Sequence, residues 1–129
     1  MPVSTVAEVF VAVLLVVTGL SHIFRARLWA EFFRDAFAKP YAGLWVGMLT
    51  LLCGLPVAAA HNIWVWEPRV IATVIGWGWS VKGTLYLLAP GLPMKVAARH
   101  IQHPARFAYA GGLLVVLGSV LAVSIAAAA

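Results

Sequence analysis

The sequence predicts an all-α polytopic membrane protein: four transmembrane helices in a bundle, with an amphipathic interfacial helix between the first and second. Three observations predict it: composition, four apolar runs of helical length, and basic residues gathered in particular connections. Of 129 residues, 64% are hydrophobic and 10% charged, and the mean hydropathy is +0.98. Ordinary soluble domains carry roughly 25% charged residues, and a soluble fold of this size has too little interior to hide so much apolar surface. The length allows one domain, residues 1–129.

A hydrocarbon core of about 30 Å needs about 20 apolar residues of helix. The first expected span runs from about Val6 to Phe24. Thr5 and Glu8 have capping-box spacing, which casts Glu8 as a carboxylate covering free amides at the helix start. No Lys or Arg precedes this run, so the positive leading segment of a secretory signal is missing, and the run is expected to be retained as a helix. The second span is expected over about 41–60, after Pro40. The third covers about 68–89, with Pro68 suited to a first turn and Pro90-Gly91 closing the far end. The fourth covers about 105–126.

Small residues mark the faces on which these helices pack: Gly43 and Gly47 on the second, Gly76, Ser80 and Gly83 on the third in a stripe with Thr73, Gly111, Gly112 and Gly118 on the fourth. Such residues let backbones approach closely. Between the first two spans, Leu28, Trp29, Phe32, Phe33, Ala36 and Phe37 share one helical face, opposite Arg27, Glu31, Arg34 and Asp35, the pattern of an interfacial helix. The stretch "GLPMKVAARHIQHP" is compatible with another.

The formal charge is +5. Arg25, Arg27, Arg34, Lys39, Lys95, Arg99 and Arg106 belong to the first and third connections or their edges, and Arg69 alone to the opposite side. That distribution points to membrane orientation and anionic lipid rather than nucleic acid. It places the basic connections in the cytoplasm and both termini outside, in a bacterial inner membrane.

Lys82 is the sharpest chemical signal, because a charge within a membrane helix is costly and marks a functional path, a partner, or a side chain snorkelling to headgroups. His22 stands at comparable depth on another helix, and the two could meet to relay a proton or hold an anionic headgroup. Trp64 and Trp66 suit the outer interface, whereas Trp77 and Trp79 lie deeper and need helix contacts or partners for their N–H groups. His61 and Asn62 read first as turn chemistry; the functional alternative groups His61 with Glu67 and Glu8 as a cation or proton site. His100 and His103 have helical i, i+3 spacing, but two histidines do not complete a metal site. Cys53, the single cysteine, reads as a packed thiol. No phosphate loop, Ser/His/Asp set, paired catalytic carboxylates or metal-ligand spacing is present, so no catalytic residue is assigned.

The pattern "HNIW", then "TVIGW", then "KG" with a following proline resembles a family of uncharacterised small bacterial four-helix membrane proteins, from the first helix through Pro90. The resemblance implies topology but no activity. In size and helix number the chain is also similar to the DoxX family, which would imply a redox accessory binding quinone or haem, with His22 or His61 as axial ligand. From the residues themselves, the expected function is a non-enzymatic accessory or interaction protein, assembling through its glycine faces as a homo-oligomer or a subunit and anchored to anionic lipid. A small oligomeric transporter or channel using Lys82 and His22 is the alternative.

Overall fold

The computed structural model describes all residues, 1–129, and consists of six helices with no strand. They are α1 (Val3–Phe24), α2 (Ala26–Phe37), α3 (Ala42–Ala60), α4 (Val70–Leu88), α5 (Gly91–Ile101) and α6 (Pro104–Ala128). The expectation of four membrane spans is overturned: three helices, α1, α3 and α6, are long and apolar enough to cross a membrane. The physical reason lies in the composition of α4. Lys82, three glycines, Thr73, Ser80 and Thr84 dilute its aliphatic residues, so it does not stand as a span on its own.

The long helices form two antiparallel pairs, α1 with α6 and α3 with α4, and each pair is brought together by residues without side-chain bulk. A Cβ added at Gly111 would lie 2.5 Å from the Gly19 carbonyl oxygen, and one at Gly83 would lie 2.7 Å from the Leu51 amide nitrogen. Distances this short leave no room for a side chain, so the two backbones approach each other directly there. Gly118 rests on α1 beside Ala12 and Leu15, Gly47 beside Gly83 and Tyr86, Gly76 beside Val57 and Ala58, and Gly43 beside Pro90. Ser80 lies against Gly54 and returns its hydroxyl to the Gly76 carbonyl at 2.7 Å. Each expected packing position is therefore occupied by a helix of the same chain, except that Gly112 has open space around it.

Between the pairs, the apolar core is small: Val11, Ala12 and Leu15 of α1, Val57 of α3, Ala72 of α4 and Leu121 of α6. Only 24 of 129 residues are buried, whereas Val13, Val17, Trp45, Leu52, Leu113 and Val123 are exposed. Small residues inside and large apolar residues outside reverse the soluble pattern, a distribution compatible with membrane association.

The antiparallel pairing puts both termini and the 61–69 connection at one end, where Pro68 lies beside Ala127 and Ala128. The other end carries α2 and α5, and Arg34 of α2 donates to the Ile101 carbonyl at the end of α5 (3.5 Å). The apolar face of α2 is divided. Ala30 is buried and Trp29, Phe33 and Phe37 pack against other rings of the protein, while Leu28 and Phe32 are exposed.

The capping role expected of Glu8 is also corrected. Helix α1 begins at Val3, with Pro2 at the N-cap and no side-chain cap, so Thr5 lies within the helix and Glu8 more than a turn beyond its start. Glu8 is buried and faces another element instead.

Candidate functional site

At the α2–α5 end, the two helix pairs leave a cleft of about 700 Å³. Lys82 of α4 and His22 of α1 both line it, so the two residues singled out in the sequence share one cavity. His100 of α5 and Arg106 of α6 join them, and no carboxylate is among the lining residues. Tyr86 and Tyr109 contribute phenol rings, and Leu85, Leu92, Val96 and Phe107 contribute apolar wall. The lining is therefore cationic and proton-donating where it is polar, and hydrocarbon elsewhere.

Local structure fixes His22. Its Nδ1 is 2.7 Å from the Thr18 carbonyl oxygen, one turn earlier in α1, and a carbonyl only accepts, so Nδ1 carries a proton. The ring stacks on Trp29 at 4.3 Å between centroids, and Trp29 is held by donating its indole N–H to the Ser21 hydroxyl at 2.9 Å. Phe107 stacks more loosely on the same imidazole, and Phe33 on Phe107. An imidazole clamped between rings, with Nδ1 committed to its own helix, has Nε2 as its remaining polar atom. Lys82 lacks such a clamp and is exposed, as a long stem with a mobile ammonium requires.

Trp79, read from the sequence as needing a helix contact or a partner for its N–H, is not a cleft residue. It packs against Gly54 of α3 and the apolar core beside Ile71 and Ile75. His103 immediately precedes α6 and is exposed.

A second cluster occupies the opposite end. His61, which follows α3, is fully buried, with Nδ1 2.7 Å from the Thr73 hydroxyl and Nε2 2.7 Å from Oε1 of Glu8. Thr73 donates to the Ile63 carbonyl (2.8 Å) and accepts from the Ile63 amide (3.1 Å), pinning the turn to α4. Arg69 Nε lies 3.4 Å from the same Glu8 oxygen without hydrogen-bond alignment, so it acts there through its charge. Of the three residues grouped as a possible proton or cation site, Glu8 and His61 thus meet, while Glu67 is exposed and contacts neither. Asn62 accepts from two indoles, Trp64 at 2.8 Å and Trp77 at 3.2 Å, tying the outer turn to α4.

Sequence reasoning missed Thr73 as a hydrogen-bonding centre and His100, Arg106 and Tyr86 as neighbours of Lys82. Thr73 stood in a small-residue stripe, and Arg106 looked like one more orienting charge. Only the return of α6 beside α1 shows that Arg106 and His22 share a wall. Comparison with family models, with curated proteins and with solved structures finds no match for the chain.

Proposed function

We propose that the chain is a non-enzymatic, membrane-embedded binding protein, anchored by α1, α3 and α6, whose cleft holds an anionic amphiphile of the lipid class. One observation carries the reading: the cleft combines Lys82, Arg106, His22 and His100 with hydrocarbon walls and has no acidic lining residue. A negative headgroup meets cations and N–H donors there, and its chains lie on Leu85, Leu92 and Val96. Arg106 offers planar, bidentate recognition of a phosphate or carboxylate, and Lys82 a mobile point charge.

The orientation follows from the same residues. Arg25, Arg27, Arg34, Lys39, Lys95, Arg99 and Arg106 belong to the α2–α5 end. Basic segments remain cytoplasmic, so that end faces the cytoplasmic leaflet of a bacterial inner membrane, where anionic lipid is available. The glycine faces named for assembly, Gly112 excepted, are covered by helices of this chain.

The test is a binding titration with the protein in zwitterionic nanodiscs, using fluorescent phosphatidylglycerol and phosphatidylcholine with identical chains. The anionic probe binds more tightly, and Lys82→Met or Arg106→Gln weakens it by about 10- to 100-fold, as expected for losing one hydrogen bond to a charged group worth roughly 1.5–3 kcal/mol. Equal binding of both probes, or variants indistinguishable from the wild type, contradicts the proposal.

A further inference from the structure

The cleft has a closed side and an open one. Its back is a wall of rings, in which Phe107 stacks on His22 and Phe33, and the buried Tyr86 stacks on Phe37. The other side is formed by Lys82 and Leu85 of α4 and by Arg106 and Tyr109 of α6, all of them exposed. Helices α4 and α6 scarcely touch, because each is paired along its length with a different neighbour. The gap between them therefore continues beyond the cleft, away from α5.

Helix α4 runs toward the α5 end and α6 runs away from it, so the gap is lined by earlier residues of α4 and later residues of α6. Gly78, Ile75 and Ile71 follow Lys82 at helical steps of four, three and four, and Ala110, Leu113 and Leu117 follow Arg106 at the same steps. Ile71, Ile75 and Leu117 are half-buried at the edge of the core, and Ala110 and Leu113 are exposed. A Cβ built at Gly78 meets no atom within 4 Å, whereas Gly76 and Gly83 of the same helix are filled by α3. Glycine weakens a helix, and no neighbour in this chain accounts for the one at Gly78. The wall of the gap is recessed there to bare backbone.

From this continuity, we propose that the furrow between α4 and α6 is the acyl-chain subsite of the cleft. One chain of the bound anionic lipid passes Leu85 and lies along Gly78, Ile75, Leu113 and Leu117, while the headgroup stays with Lys82 and Arg106. The inference rests on the anionic-lipid reading of the cleft and adds where the chain goes. Charge argues for this occupant, because the furrow has cations at one end only. No charged residue occurs from Val70 to Val81 or from Phe107 to Ala128. A single amphiphile has the same polarity, and a soluble anion would use the cationic end alone. Length agrees: Ile71 lies eleven residues from Lys82, about 16 Å along the helix, and one leaflet is about half of a 30 Å hydrocarbon core. Among lipid tails a chain gains little by leaving its neighbours. What selects the furrow is the headgroup, which holds the chain beside it at high effective concentration.

Two measurements in zwitterionic nanodiscs test the subsite. In the first, phosphatidylglycerol with a diazirine at the end of one chain, or phosphatidylcholine with identical chains, is photolysed with the wild type and the adducts are mapped by peptide mass spectrometry. The anionic probe marks residues 71–78 and 113–117 in excess over other exposed apolar positions such as Trp45 and Leu52, and Lys82→Met removes the excess. Even marking by the anionic probe overturns the proposal. In the second, Gly78→Leu fills the recess and weakens binding of fluorescent phosphatidylglycerol by about 10-fold, as overpacking a fitted contact does. Gly112→Leu leaves binding unchanged, because its side chain enters equally open space but stands off the furrow stripe of α6. Wild-type affinity in Gly78→Leu, with phosphatidylglycerol still preferred over phosphatidylcholine, overturns the subsite and leaves the headgroup reading standing. Absence of that preference in the wild type overturns both.

Discussion

At the scale of single residues, Thr73 does more than its size suggests. Its one hydroxyl accepts from the Ile63 amide, donates to the Ile63 carbonyl, and lies 2.7 Å from Nδ1 of His61. Replacement by valine keeps the volume and deprives three polar groups of this partner, the buried His61 Nδ1 and the part-buried amide and carbonyl of Ile63, a buried one costing about 1–3 kcal/mol when unsatisfied. Thr73→Val therefore lowers the thermal midpoint in detergent substantially, whereas Thr73→Ser, which keeps the hydroxyl, stays near the wild type. Equal midpoints for the two variants would show that packing, not hydrogen bonding, is what the threonine supplies. Sequence showed these residues unevenly. Lys82 was conspicuous as a charge in an apolar run, and His22 as its counterpart at similar depth. Thr73 was not, because a threonine in a glycine-serine stripe looks the same whether its hydroxyl serves its own helix or a neighbouring turn.

At the scale of elements, the helices pair through bare backbone, and the cost of a methyl group depends on where it lands. At Gly111 an added Cβ meets the Gly19 carbonyl oxygen at 2.5 Å, and neither backbone can yield alone. At the adjacent Gly112 no atom lies within 4 Å. Gly111→Ala is expected to destabilise by about 1–3 kcal/mol through overpacking, and Gly112→Ala to be neutral or stabilising by up to about 1 kcal/mol through helix propensity. Unfolding of the two variants in the same detergent checks the contrast.

The helical class and the apolar character of α1, α3 and α6 were legible because hydropathy reports them directly. The status of α4 was not: a run punctuated by Lys82, Ser80 and Thr84 has the length of a span without its apolarity. Capping-box spacing likewise misplaced Glu8, because spacing cannot say which turn comes first. Helix α1 extends back to Val3, and that turns Glu8 from a cap into a bridge.

At the scale of the whole molecule, two helix pairs meet around a small core and a polar junction at one end, and flank a cationic cleft at the other. The asymmetry sets a sidedness that labelling can read. In a Cys53→Ala background, a membrane-impermeant maleimide reaches Glu67→Cys from the outside of intact spheroplasts and reaches Gln102→Cys only after permeabilisation. Both positions are exposed and lie at opposite ends. The reverse labelling pattern would place the cleft at the outer leaflet and remove the argument from cytoplasmic anionic lipid.

The central claim is that the cleft selects an anionic amphiphile, and native mass spectrometry of the protein released from its own membrane tests it most directly. The account predicts a bound anionic lipid at one copy per chain, retained in the wild type and lost in a Lys82→Met, Arg106→Gln double variant that keeps its helicity. Wild-type protein that emerges without lipid, or carries zwitterionic and anionic lipids in the proportions of the surrounding membrane, would contradict it.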